Sequence, residues 1–187
     1  MADAVDDVAG ELGRLDILLG CAGISGPVGT RLAEVDVDAW DQVIAVNVRG
    51  NFLIAKHAMA YLELSEVGAI VFLGSDSAFV AFDGMGPYTA SKGAVVALTR
   101  AFAVDYPMVR ANALCPGVVD TPMSRADMGR PGGFEGAALP VLSPHQVARQ
   151  ALFLASPVSF PINGTTLVSD FGYLARSALG TLDFEEN

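Results

Sequence analysis

Ala69-Ile-Val-Phe-Leu-Gly74 and Val109-Arg-Ala-Asn-Ala-Leu114, separated by a helical stretch from Tyr88 to about Asp105, form the passage that decides the fold. The first run is apolar throughout and ends on glycine, as a strand buried on both faces would. The intervening stretch, introduced by Gly86 and Pro87, is long enough for a crossover helix, so the two strands are expected to pair in parallel. Outward from this unit the same alternation continues. Leu15 to Gly20 and Thr165 to Ser169 read as two further strands. Val5, Val8, Ala9 and Leu12 recur at helical spacing behind an Asp-rich turn, closed by Gly10 and Gly13. Asp36 can cap a long helix whose apolar positions include Trp40, Val43, Ile44, Val46, Phe52, Ile54 and Met59. Ser143-Pro-His-Gln146 has the form of a capping box with proline at the first helical position, which predicts a helix from Pro144 to about Ala155. The expectation is an α/β sandwich with a parallel sheet and helices on both faces.

The composition suits one globular domain over residues 1–187: 52% of the residues are apolar, 17% are charged, and the mean hydropathy is +0.44. A chain of this size buries roughly 70% of its surface on folding, enough for a sizeable core. Low charge, ordinary Gly and Pro content and two cysteines exclude disorder, a collagen array and a disulfide scaffold. With 11 Lys plus Arg against 21 Asp plus Glu, the net charge of −10 repels phosphate, so neither nucleic acid nor an anionic membrane is an expected partner. Gln150 to Ser169 carries no formal charge, but Pro157, Pro161, Asn163 and Gly164 would break a spanning helix, and the stretch reads as helix, turn and buried strand. The acidic start, Met-Ala-Asp-Ala-Val-Asp-Asp, is unlike a signal peptide, which makes the cytoplasm with reduced thiols the expected location.

In open α/β sheets ligands bind beyond the carboxyl ends of the strands. Attention falls on Cys21-Ala-Gly23, Ser75-Asp-Ser77 and Cys115-Pro-Gly-Val-Val-Asp-Thr121. Tyr88 and Lys92, four residues apart on a helix, share a face, where the ammonium can favour the phenolate and ready the phenol for proton exchange. The bland reading is a surface pair that happens to have this spacing. His57 and His145 have no ligand cluster near them in sequence, so no metal is expected. Cys21 and Cys115 are expected to be free thiols, as a reducing cytoplasm would keep them. Trp40 is read as a helix anchor. Residues 123–142 lack a period, are rich in Gly and Pro, and read as a mobile excursion.

With these motifs in this order, the sequence resembles the short-chain dehydrogenase/reductase family from Met1 to about Tyr173. The Y-x-x-x-K pair matches Tyr88 and Lys92, and a serine thirteen residues before the tyrosine matches Ser75. A helical V-N-V-x-G-x-F pattern matches Val46 to Phe52 with Asn47 as its asparagine; Asn-Asn-Ala-Gly survives as Gly20-Cys21-Ala22-Gly23. The P-G-x-x-x-T loop matches Pro116, Gly117 and Thr121; Ile162 to Leu167 and Asp170 to Tyr173 match the late segment. The resemblance implies a Rossmann-like three-layer fold and hydride transfer between NAD or NADP and a small alcohol or ketone. It implies Tyr88 as general acid/base, Ser75 on the substrate oxygen, Lys92 on the phenol and the nicotinamide ribose, and Asn47 holding a relay water. Ala22, Gly23, Pro116 and Gly117 would line the cofactor, while the Val119 backbone and Thr121 would meet its carboxamide. Residues 123–142 would be the substrate lid, and the chain would be a homo-oligomer through its two long helices.

The sequence also departs from the family pattern. The T-G-x-x-x-G-x-G loop that holds the pyrophosphate on backbone N–H groups is not among these residues, nor is the first βαβαβ portion, so weak or absent cofactor binding and impaired catalysis are expected. Leu15 to Gly20 would become an edge strand with an apolar face, covered by another chain, by the helix at Asp3 to Gly13, or by aggregation. This leaves an alternative function, a non-catalytic remnant or interaction module that pairs through that edge. The short linker Tyr106-Pro-Met could shift the strand that follows it.

Overall fold

The computed structural model describes residues 1–176; residues 177–187, the tail of the expected 1–187 domain, lie outside the described residues. Four parallel strands, β1 (Ile17–Gly20), β2 (Ala69–Leu73), β3 (Arg110–Pro116) and β4 (Thr166–Ser169), form one sheet in the order β1-β2-β3-β4. The helices are α1 (Ala2–Leu12), α2 (Val37–Ile44), α3 (Asn51–Leu62), α4 (Gly86–Asp105), α5 (Pro122–Asp127) and α6 (Pro144–Ala155).

Side chains alternate across the sheet, as the strand period of two requires. Ile70 and Phe72 of β2 and Ala111 of β3 pack with Ala55, Met59 and Leu62 of α3 and Val95 and Phe102 of α4, making the larger core. Val71 and Leu114 point to the opposite face, where Leu154 and Ala155 of α6 cover them. Helices therefore lie on both faces, as the sequence predicted. The Tyr106-Pro-Met linker does not displace β3, whose residues Arg110 to Leu114 pair in step with Ala69 to Leu73.

β1 is the edge strand of the sheet. Leu18 joins the larger core, and α1 reaches that core through Val5. On the other face Ile17 and Leu19 remain 42% and 49% exposed, so α1 covers only one side of the edge.

Two local differences from the sequence reading have clear causes. The long helix expected from Asp36 to Met59 is interrupted: α2 and α3 are joined by a wider π-type turn over Ala45–Gly50 that carries Asn47. Such insertions recur at functional sites because they re-aim a side chain within a helix. Residues 123–142, expected to be irregular, begin in α5, which Thr121 caps by accepting from the Ser124 N–H while Pro122 takes the first helical position. Beyond it, Val119 and Leu142 meet in a short parallel bridge that ties the two ends of the excursion together.

Candidate active site

Asn47 is fully buried, and its side chain organises the loop that follows β1. Ile24 N–H donates to Asn47 Oδ1 at 2.8 Å, and Asn47 Nδ2 donates to Ile24 O and to Ser91 Oγ, both at 2.9 Å. Ser91 passes its own hydrogen to the Tyr88 carbonyl at 2.7 Å, which ties the β1 loop to the first turn of α4. These bonds satisfy an amide that would otherwise be costly inside a helix.

Gly23 stands where these parts converge. A Cβ added there would lie 3.5 Å from both Asn47 Oδ1 and Lys92 Nζ, in ordinary van der Waals contact, so Gly23 marks where the loop after β1 passes the Asn47 amide and the Lys92 ammonium. Lys92 is buried to 4% exposure, donates to Leu73 O at 2.8 Å, and places Nζ 5.4 Å from the centroid of the Tyr88 ring. Ser75 follows β2 and is buried; its Oγ accepts from the Ser77 N–H at 3.1 Å and donates to Asp76 Oδ1 at 2.9 Å. The Ser75 hydroxyl also acts on the Tyr88 phenol, drawing its pKa downward. The structure thus brings Asn47, Ser75, Tyr88, Lys92 and Gly23 together at the carboxyl ends of β1 and β2.

One electrostatic expectation is corrected. Lys92 was expected to lower the Tyr88 pKa, but burial raises it, with Asp76 and Asp127 adding to the rise, and this outweighs the pull of Ser75. Burial also lowers Lys92 to about 8, because a desolvated ammonium is disfavoured. The ammonium donates to Leu73 O and lies over the Tyr88 ring.

This depressed lysine has a stability signature. Between pH about 8 and the ordinary lysine range near 10.5, the unfolded chain binds more protons at Lys92 than the folded chain does. The buried cation's penalty is therefore in full force below about 8 and is relieved as pH rises through that window. From pH about 7.5 to about 9.5, Lys92→Met should forgo a gain of about 2 kcal/mol that the unaltered chain shows. Urea unfolding of both proteins at the two pH values checks this, and parallel curves would refute it.

The remaining sequence-predicted positions form a second wall. Gly117 N–H donates to Ser169 O at 2.9 Å, and a Cβ on Gly117 would lie 3.3 Å from Asp170 Cα, so the loop after β3 hugs the end of β4. The preceding Pro116 closes β3 opposite Ser169. Val118 O and Asp120 N–H bond Leu142, while Val119 O accepts from Ser124 Oγ. The bonds of this segment run past the Val119 N–H. Thr121 Oγ1 is engaged in capping α5. Ala22 O faces the Asn51 amide at 3.4 Å.

Sequence reasoning assigned no role to Asn51 or Ser91. Asn51 Nδ2 donates to Asn47 O at 2.7 Å, and its Oδ1 is buried without a hydrogen-bond partner. The only signals were a second asparagine four residues after Asn47 and the serine before Lys92. Cys21 and Cys115 follow or end strands with β2 between them, and both are free. Among the described residues no helix is long and apolar enough to cross a membrane.

The chain matches known proteins over nearly its whole length. Residues 1–174 match the family described as Enoyl-(Acyl carrier protein) reductase. It is 38% identical over 174 residues to the 2-(R)-hydroxypropyl-CoM dehydrogenase of Xanthobacter autotrophicus, covering 88% of this chain and 69% of that protein. The ligand-free aldohexose dehydrogenase of Thermoplasma acidophilum superposes with a TM-score of 0.88 at 29% identity, over 97% of this chain and 76% of that one. A gluconate 5-dehydrogenase from Burkholderia cenocepacia, in complex with NADP and tartrate, superposes with a TM-score of 0.83 at 27% identity, over 94% and 71%.

Proposed function

Because the chain belongs to the short-chain dehydrogenase/reductase family, we propose that it is an NAD(P)-dependent oxidoreductase acting on a small alcohol or ketone, with Tyr88 as general acid/base. The observation that carries this reading is the chain of neighbours in which Asn47 and Lys92 meet at Gly23, the Lys92 ammonium lies over the Tyr88 ring, and the Ser75 hydroxyl acts on the Tyr88 phenol. Gly23 and Gly117 lie in the loops after β1 and β3, where the carboxyl ends of the strands would receive a nicotinamide. Bound NAD(P) supplies the hydride acceptor or donor.

The protein's own part is proton handling and orientation. Tyr88 takes the hydroxyl proton of an alcohol or returns it to a carbonyl oxygen. Ser75 holds that oxygen within reach of the phenol. Lys92 holds the ribose hydroxyls of the nicotinamide half and, once drawn toward them, favours the phenolate that burial alone disfavours. Asn47 orders the loop over Lys92 and, in this reading, a water that relays protons to solvent. Ala22, Gly23, Pro116 and Gly117 form the walls, and the Val119 N–H and Thr121 meet the carboxamide. The segment 123–142 serves as the lid over the substrate. Self-association through α3 and α4 and a cytoplasmic location belong to the same proposal.

These 187 residues contain no T-G-x-x-x-G-x-G loop, so the chain on its own is expected to hold the nicotinamide half better than the adenosine half. Amide NMR distinguishes the two. Reduced nicotinamide mononucleotide should shift Gly23, Lys92 and Val119 to Thr121, whereas adenosine diphosphate should leave them in place. Shifts from adenosine diphosphate alone would overturn the placement.

The exposure of Ile17 and Leu19 on the edge strand favours a second reading, a module that pairs through β1 without catalysis. Sedimentation separates the two: Leu19→Lys abolishes association in the second reading and leaves association through α3 and α4 untouched in the first.

A further inference from the structure

Beside the catalytic serine lies a small cavity whose charge is one-sided. It occupies about 110 Å3 at the carboxyl ends of β2, β3 and β4, lined by Phe82, Met128, Leu139, Phe171 and Tyr173 together with Asp76 and Asp170. No Lys, Arg or His is among its lining residues. The Phe82 and Tyr173 rings stack at its rim, 6.5 Å between centroids and 19° between planes.

Asp76 is the residue that does not fit an ordinary apolar substrate pocket. It is 7% exposed, and its Oδ1 accepts from Ser75 Oγ at 2.9 Å. The ion pairs among the described residues are Arg14 with Asp16 and Arg125 with Asp120, so Asp76 has hydrogen bonds but no counter-charge. Burial and the neighbouring Asp170 both disfavour its anion, the Ser75 and Ser77 groups favour it, and no cation contributes. Asp170 differs, because its two oxygens accept from Gly172 N–H and Leu174 N–H, both at 2.8 Å. A buried carboxylate without a cation is costly, and a ligand that brings the cation recovers that cost.

From this juxtaposition we infer that the substrate is a short amino alcohol or amino ketone, whose ammonium sits between the Asp76 carboxylate and the Phe82 and Tyr173 rings while its oxygen meets Ser75. The inference rests on the oxidoreductase reading for the reacting oxygen, and on Asp76 and the rings for the ammonium. Aromatic faces attract a desolvated cation, and a diol can bond the carboxylate but cannot neutralise it. A cavity of about 110 Å3 suits a short chain of a few carbons. Asp76 is thus a specificity-determining residue placed one position after the serine that would hold the substrate oxygen.

Binding can be read on the 187-residue chain without cofactor or turnover, by NMR titration with 1-amino-2-propanol, 1,2-propanediol and lactate. The amine should bind at least about tenfold more tightly than the diol, the equivalent of about 1.4 kcal/mol, shift Asp76, Phe82 and Tyr173, and outcompete lactate entirely. Asp76→Asn should bring amine and diol within about threefold of each other, and Phe82→Leu should remove part of the preference without touching diol affinity. Equal binding of amine and diol, no binding of the amine, or an amine preference that survives Asp76→Asn overturns the inference. Amine binding with no response to reduced nicotinamide mononucleotide would overturn the oxidoreductase reading instead and leave the cation site standing.

Discussion

Replacing Tyr88 by Phe should lower alcohol-dependent turnover by about 10²- to 10⁴-fold, the range for losing a positioned acid/base. The change removes one oxygen from a side chain that packs partly buried on α4, beside Ser75 and the Lys92 ammonium. The ring stays, so Lys92 keeps its aromatic neighbour and its bond to Leu73 O. Ligand affinity should therefore change little, and the loss should fall on kcat rather than on binding. Steady-state rates measured from the nicotinamide absorbance, with affinity measured separately by titration, divide the two effects. A variant that kept its rate would remove Tyr88 from the chemistry.

The largest expected effect on stability belongs to Arg110, far from that chemistry. Arg110 is 7% exposed in β3, and its guanidinium reaches the last turn of α6. One terminal nitrogen donates to Leu154 O at 2.9 Å and Ser159 Oγ at 2.7 Å, and the other to Ala155 O at 3.1 Å and Ser156 O at 3.2 Å. Carbonyls at a helix C-terminus have no partner within the helix, and a cation there also suits the helix dipole. Arg110→Met fills much of the same volume but removes the guanidinium donors, leaving the Ser159 hydroxyl, which reaches Leu154 O at 3.0 Å and Ser156 O at 2.9 Å, to serve only one of these carbonyls at a time. The expected loss is about 3 kcal/mol, read as a fall in the urea midpoint with little change in slope. Arg110→Lys should recover only part, because a single ammonium cannot fork across four acceptors. A loss below about 1 kcal/mol for the Met variant would show that water replaces the guanidinium.

Arg110 also shows where sequence reading stops. Within Val109-Arg-Ala-Asn-Ala-Leu114 it reads as a polar interruption of a buried strand, and its partners are residues 154 to 159, brought close only when α6 folds onto β3. The strands and helices were legible because their periodicity is local: Ile70 and Phe72 face one way and Val71 the other. Tyr88 and Lys92 stood out by their four-residue spacing on a helix, and Ser75 and Asn47 by their match to the family's motif order.

What escaped was set by tertiary environment. The π-type turn over Ala45–Gly50 carries Asn47, which bonds Ile24 in the loop after β1, a partner distant in sequence. The direction of the Tyr88 shift depends on burial, which the four-residue spacing to Lys92 does not encode. α5 was overlooked although Thr121-Pro-Met-Ser124 carries a cap and an N1 proline, because six residues are too few to show a period. Asp76 was visible between Ser75 and Ser77, but its meaning rests on an enclosure built by Met128, Leu139 and Tyr173.

Asn47, Ser75, Tyr88 and Lys92, in the proposed reading, support transfer of a hydride between a carbinol carbon and the nicotinamide. The direct measurement incubates the chain with millimolar NAD or NADP and secondary alcohols, amino alcohols among them, deuterated at the carbinol carbon, and then locates the label. Deuterium is expected at C4 of the recovered nicotinamide with the unaltered chain, and essentially none with Tyr88→Phe. A nicotinamide that stays unlabelled, or one labelled equally by both proteins, would contradict it.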